Sequence, residues 1–328
     1  MVKRNVSAGR SAWQGFGLKI FSDDDLYQIH LATLEVLEHS GLYVQSNEAM
    51  DIFENGGCKV DRQQKKVRIP AYVVEDALNS APQKVVLCGR DPEKDLVLEA
   101  NRVNFCPFGE GIMVNDPETG EYRKSTKADI ANVAKLVDGL DEYDMLEFTI
   151  AARDVNPKTA CLHTYEATVA NTSKHIPQSP DDAETAKILI EMAEAVAGGK
   201  EKLQQRPIVS GCACPQSPLS LSRGCCEAII EYARAGLPMN VLSMAMAGGS
   251  SPVTLAGTLV THNCEVLGGH ILAQLTRRGT PVIYGSSTTI LDLRRATATV
   301  GCPELGMISA AVAQMAQYYL LPSYVAGG

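Results

Sequence analysis

Four cysteines in the second half of the chain are the first residues that could do chemistry. Cys212 and Cys214 alternate along PIVSGCAC, and Cys225-Cys226 follow shortly after. Thiolates grouped in this way could hold zinc, which takes sulfur and nitrogen ligands in a tetrahedral set. C-x-C with an adjacent pair on a helix is not a usual ligand spacing, and free cysteine is a frequent core residue. The core reading is favoured, and no metal site is expected. A second group is His262, Asn263 and Glu265. His262 and Glu265 stand three apart and share a helix face, as a proton-transferring pair would. Polar groups in the middle of so apolar a helix more often form a satisfied buried network, which is the preferred reading. Gly248-Gly249-Ser250-Ser251 could cradle an anion on its amides. It has neither GxGxxG spacing nor the Walker A lysine, so an ordinary strand-to-helix turn is favoured.

Residues at the carboxyl ends of strands are better placed, because barrel active sites are built there. Asp154 follows one strand; Tyr284, Ser286 and Ser287 end another; Glu304 opens the next helix; Tyr324 lies on the last strand. An apolar pocket with tyrosine faces and a carboxylate suits a small alkylammonium. Equally, the tyrosines suit buried strand positions and Glu304 suits the positive end of a helix. The residues by themselves leave both readings open.

The elements that must position these groups are clearest from Met239 to Gly328. Only seven residues there are charged, against 30 Lys and Arg and 38 Asp and Glu in the 328-residue chain. Apolar runs at 239–246, 281–287 and 322–327 alternate with helical patterns at 252–274 and 303–319. Nearly continuous apolar strands separated by helices indicate a parallel sheet buried on both faces. Upstream the same alternation gives strands near 146–151, 172–176 and 208–213. Helices are expected at 159–170, 181–197 and 218–235, the last capped by Ser217. About six strands from residue 145 onward predict an α/β fold, an incomplete (β/α)8 TIM-type barrel two units short of closure. Residues 1–144 read as an α+β N-terminal domain or cap outside the main core. An extended arm (1–20) leads to helices starting after Ser22, Ser46 and Pro70, and to short strands around the DPETG turn at 116–120. The division expected is 1–144 and 145–328.

Net charge is −8, and no basic stripe is present, which argues against a nucleic-acid binder. The N-terminus lacks the apolar core of a secretory signal. Residues 253–275 are long enough to span a bilayer but contain His262, Asn263, Glu265 and His270. They read as a buried helix behind a barrel strand. A cytoplasmic location is expected, with the ten cysteines as thiols.

NVLSMAMAGGSSPVTLAGTLVTHNCEVL (240–267), IYGSSTTILDLRRATATVGCPELGMISAAVAQMAQYYLLPSYVAGG (283–328) and GRDPEKD (89–95) closely resemble the trimethylamine:corrinoid methyltransferases. The resemblance runs along essentially the whole chain. It implies a (β/α)8 barrel that passes a methyl group from trimethylamine to the Co(I) corrinoid of a cognate corrinoid protein. No tightly bound cofactor of the chain's own is implied; the corrinoid (cobalamin) is carried by the partner. The full-length protein is expected to be a homo-oligomer. Pyrrolysine, encoded by an in-frame amber codon, is expected just after Gly328. The chain would then be the N-terminal portion of a longer enzyme and inactive by itself. On this reading Tyr284, Tyr324 and Glu304 would wall the pyrroline imine. Two alternatives stand beside it: a pyrrolysine-free relative acting on a quaternary amine such as glycine betaine, and a non-catalytic binding or assembly protein.

Overall fold

A computed structural model describes residues 19–99, 102–107, 109 and 111–327. The arm expected at 1–20 falls outside them except for its last two residues. Contacts gather the described residues into two compact units, one of residues 86–211 and one of residues 19–85 with 212–327. Both boundaries differ from the expected division at 144/145.

The chain opens with α1 (Asp23–Glu35), started by a reciprocal cap. Ser22 Oγ accepts from the Asp25 amide, and the Asp25 carboxylate accepts from the Ser22 amide. Then come β1 (Leu42–Val44), α2 (Asn47–Asn55) capped by Ser46, the hairpin β2 (Lys59–Asp61) and β3 (Lys66–Arg68), and α3 (Ala71–Ser80) behind Pro70.

Strand β4 (Val85–Leu87) begins the 86–211 unit and pairs with β5 (Leu96–Leu98). Another hairpin, β6 (Met113–Asn115) and β7 (Tyr122–Lys124), turns at Asp116, whose Oδ1 accepts the Glu118 and Thr119 amides. Helices α4 (Lys127–Asp138) and α5 (Ala160–Asn171) lead to β8 (Ile176–Gln178). Helices α6 (Ala183–Ala197) and α7 (Lys200–Gln205) lead to β9 (Val209–Ala213), parallel to β8 with Ile176 opposite Val209. The strand expected at 146–151 is absent. Its amides serve two different neighbours: Leu146 donates to the His175 carbonyl at one end, and Ala151 to the Gly111 carbonyl at the other. Only isolated bridges result, at Met145 and Ile150.

The second unit resumes with β10 (Ser220–Leu221), which lies parallel to β1. Helix α8 (Arg223–Ala235) starts five residues later than expected and is capped by Ser222, not Ser217. The Ser217 hydroxyl and the Leu219 amide are drawn to Glu265 instead. Strand β11 (Met239–Ser243), β12 (Met246–Ala247), α9 (Leu255–Thr276), β13 (Val282–Ser286), β14 (Thr289–Asp292), β15 (Thr297–Ala298), α10 (Pro303–Tyr318) and β16 (Ser323–Val325) complete it. Strands β11, β13 and β16 are parallel, with Leu242, Gly285 and Tyr324 in register across all three. Strands β12, β14 and β15 form a small second sheet beyond their ends.

Helix α9 is apolar nearly all round, and residues 19–85 explain why. Its mid-helix pair of glycines lets it approach two layers at once: a Cβ on Gly269 would lie 2.7 Å from Val241, and one on Gly268 would meet Leu42 at 2.2 Å. The N-terminal part is therefore a cover over α9 within the same core, not a cap outside it. No helix among the described residues is long and apolar enough to cross a membrane. Parallel strands alternating with helices give the expected α/β, (β/α)8-type pattern. The described residues supply two such strands in one unit and three in the other, not six.

Candidate substrate site on the parallel sheet

The β11–β13–β16 sheet has two faces of different character, assigned by strand alternation. Ser243 and Tyr284 face α9. Glu265 is fully buried there and accepts three hydrogen bonds, from Ser217 Oγ (2.7 Å), Ser243 Oγ (2.6 Å) and the Leu219 amide (2.9 Å). Burial raises its carboxyl above the ordinary range, and these three donors pull it part of the way back. His262 makes no pair with Glu265. Its Nε2 meets the Gly285 carbonyl at 3.1 Å, and burial pushes its pKa down to about 4. His270 is likewise lowered to about 4, with Nε2 on the Ile283 carbonyl. Both imidazoles are thus neutral at pH 7, with Nε2 donating.

The Tyr284 hydroxyl donates to Asn263 Oδ1 at 2.7 Å. Asn263 Nδ2 in turn donates to Thr33 Oγ1 (2.9 Å) and to the Tyr319 hydroxyl (2.8 Å). Tyr319 continues to His30 Nδ1 at 3.1 Å, and His30 Nε2 reaches Glu75 at 2.9 Å. This chain of bonds ties the sheet to α9, α1 and α3. Of the three residues expected to share a buried network, Asn263 belongs to this chain, His262 Nδ1 lies 3.4 Å from the Tyr284 hydroxyl, and Glu265 is satisfied separately by Ser217, Ser243 and Leu219. Tyr284 belongs to it and does not wall a pocket, because position 284 alternates to the helix side. Tyr284→Phe should cost about 1–3 kcal/mol in urea unfolding, because it orphans the buried Asn263 oxygen.

The opposite face carries Asn240 and Leu242 of β11, Ile283 and Gly285 of β13, and Tyr324 of β16. Asn240 Nδ2 lies 3.8 Å from Cys212 Sγ, while its Oδ1 has no hydrogen-bond partner. Ser287 extends the ladder, donating its amide to the Ser243 carbonyl at 2.8 Å, and by alternation shares this face. Of the six expected residues, Tyr324 and Ser287 therefore lie together. Ser286 is in register with Ser243 and Val325 and turns to the helix side. Glu304 stands half-buried in the first turn of α10, where the helix dipole favours a carboxylate. Asp154 is an exposed residue of the other unit and accepts the Lys127 amide at 2.8 Å, supporting the start of α4. A shallow cleft in that unit, edged by Leu146, Glu147, Phe148, Thr164 and Gln178, includes none of the six.

Asn240 was the residue to notice, as a lone amide inside the apolar run MNVLSM. Among the cysteines, Cys225 and Cys226 are buried on α8 and raised by burial, Cys226 to about 12. The GGSS turn spends its own amides internally: those of Gly249, Ser250 and Ser251 donate to the Met246 carbonyl, and that of Gly248 to Ser251. It is a turn and not an anion cradle.

The sequence profile of the trimethylamine methyltransferase (MTTB) family matches residues 12–328. Trimethylamine methyltransferase MttB of Desulfitobacterium hafniense is 53% identical over 323 residues, covering 98% of this chain and 65% of that protein. MttB of Methanosarcina thermophila is 47% identical, over 100% and 69%. A glycine betaine methyltransferase of Desulfitobacterium hafniense is 33% identical, over 94% and 64%. The chain thus spans about two thirds of the length of the curated relatives it matches. The crystal structure of the Methanosarcina barkeri monomethylamine methyltransferase (MtmB) shares the fold, with a TM-score of 0.53 at 13% identity, over 94% of this chain and 68% of that one. By the extent of the profile match and by these identities, the chain belongs to the trimethylamine methyltransferase family.

Proposed function

We propose that these residues form part of an enzyme that moves a methyl group from trimethylamine to the Co(I) corrinoid of a separate corrinoid protein. The observation that carries this reading is the 53% identity to a trimethylamine methyltransferase over 98% of the chain. Identity to the glycine betaine enzyme is 33%, so the quaternary-amine alternative is less favoured. Nothing in the geometry specifically favours a non-catalytic binding or assembly protein.

The chemistry asks for a particular kind of site. The N–CH3 bond must break with its electron pair staying on nitrogen, so the nitrogen must be cationic as the methyl leaves. The methyl goes to a two-electron nucleophile, which the partner's corrinoid supplies. The protein's task is to seat a small alkylammonium at an apolar mouth and to exclude water. The face bearing Leu242, Gly285, Tyr324 and Ser287 is the substrate wall in this reading.

Trimethylamine should bind purified 1–328 in preference to glycine betaine when both are titrated calorimetrically; the reverse order would favour the quaternary-amine reading. These residues match 65% of the length of the Desulfitobacterium hafniense relative. The 328-residue polypeptide incubated with trimethylamine and a reduced corrinoid protein is therefore expected to yield no methyl-cobalt spectrum. Appearance of that spectrum would support the reaction while refuting the inactivity of this portion.

A further inference from the structure

We infer that Asn240 is the group that recognises the substrate's N–H, making the site selective for a protonated tertiary amine over a quaternary one. This rests on the methylamine reading above. Asn240 is 6% exposed, yet one end of its amide has no partner. Leaving a buried amide oxygen unsatisfied carries a desolvation cost, so such an atom calls for a ligand that supplies the missing donor. The orphan is set on the face turned away from α9. It leans across Gly285, where a Cβ would lie 2.2 Å from Oδ1. Gly285 is in register with Leu242 on one side and Tyr324 on the other. An amide acceptor thus stands among an aliphatic and an aromatic residue at a position where the strand carries no side chain of its own.

Protonated trimethylamine has one N–H and three methyl groups. Its N–H would donate to Asn240 Oδ1, and its methyl groups would meet apolar neighbours. An amide accepts the bond without neutralising the cation, so the nitrogen keeps the charge that its departure requires. A quaternary ammonium has no N–H and leaves the amide oxygen as it was. Selectivity then comes from a hydrogen bond that one cation makes and the other cannot.

The test titrates trimethylammonium and tetramethylammonium into 1–328 and into Asn240→Leu, with circular dichroism and urea midpoints to confirm folding. The wild type should prefer trimethylammonium by about tenfold or more, the range of a buried hydrogen bond to a charged group. Asn240→Leu should abolish the preference, with tetramethylammonium affinity changing by less than about twofold. Unchanged trimethylammonium binding in this variant, or an equal loss for both cations, would overturn the assignment. Asn240→Asp keeps the shape, has acceptors at both ends and adds charge, so it should tighten both cations. If the leucine variant fails to fold, unchanged affinities in Asn240→Asp overturn the proposal. A wild-type chain that binds neither cation would overturn this inference and leave the methylamine reading, which rests on sequence identity, in place.

Discussion

Replacing Glu265 by alanine should cost about 4 kcal/mol of stability, whereas Glu265→Gln should cost about 1 kcal/mol. The alanine variant leaves a cavity beside α9 and strands three donors in a buried place: Ser217 Oγ, Ser243 Oγ and the Leu219 amide. Glutamine fits the same donors because they are divided between the two carboxylate oxygens. Oε1 takes only the Leu219 amide, and an amide oxygen can keep that bond. Oε2 takes two serine hydroxyls, and hydroxyls can rotate to accept from an amide NH2. The pH dependence follows from the raised carboxyl. A folded-state pKa above the unfolded one gives stability that is present below the unfolded carboxylate range and is lost as pH rises through the folded value. Glutamine does not titrate, so Glu265→Gln should gain on the wild type as pH increases through that window. Urea unfolding of the three proteins at several pH values measures both effects. Equal losses for alanine and glutamine would show that the carboxylate itself is required and that an amide of the same shape cannot take over its three hydrogen bonds.

Much of this arrangement is legible in the residues, and the gaps have physical causes. The apolar stretch from Met239 onward declares its alternation because a parallel strand covered on both faces has no polar side to confuse the period. Strands β11, β13 and β16 lie inside the runs expected for them. The expected strand at 146–151 carries the same kind of sequence, but its hydrogen bonds are divided between Gly111 and His175, a long-range fact that no local pattern records. Helix α8 shows the same limit. Ser217 has the right chemistry for a cap, yet a carboxylate 48 residues away takes its hydroxyl.

The candidate site is harder to read, because alternation decides which side a strand residue serves. Tyr284 and Tyr324 look equivalent in sequence. One lies opposite Val241 and faces α9, while the other lies opposite Gly285 and faces the reverse side. A register between strands decides this, and register is set by pairing across the sheet. Asn240 escapes notice for a related reason: a single amide in a strand reads as a tolerated polar residue until its unpaired oxygen is seen.

Gly285→Ala should lower stability by about 3 kcal/mol and weaken trimethylammonium binding at the same time. The new Cβ would meet three atoms at once: Asn240 Oδ1 at 2.2 Å, the Val241 carbonyl oxygen at 2.8 Å and Leu242 Cα at 2.9 Å. The first belongs to a side chain that can rotate away. The other two are backbone of the neighbouring strand, held by the ladder that sets Val241 against Tyr284 and Leu242 against Gly285. Strand β13 must therefore shift, and His262 bonds to the Gly285 carbonyl, so the disturbance reaches α9. The two consequences can be separated in a double-mutant cycle with Asn240→Leu. If the binding loss comes from displacing the Asn240 amide, adding Gly285→Ala to Asn240→Leu should change trimethylammonium affinity little further while the stability cost remains. Additive losses in affinity would instead place the contacts to the substrate's methyl groups at Gly285 itself, with the amide as a bystander.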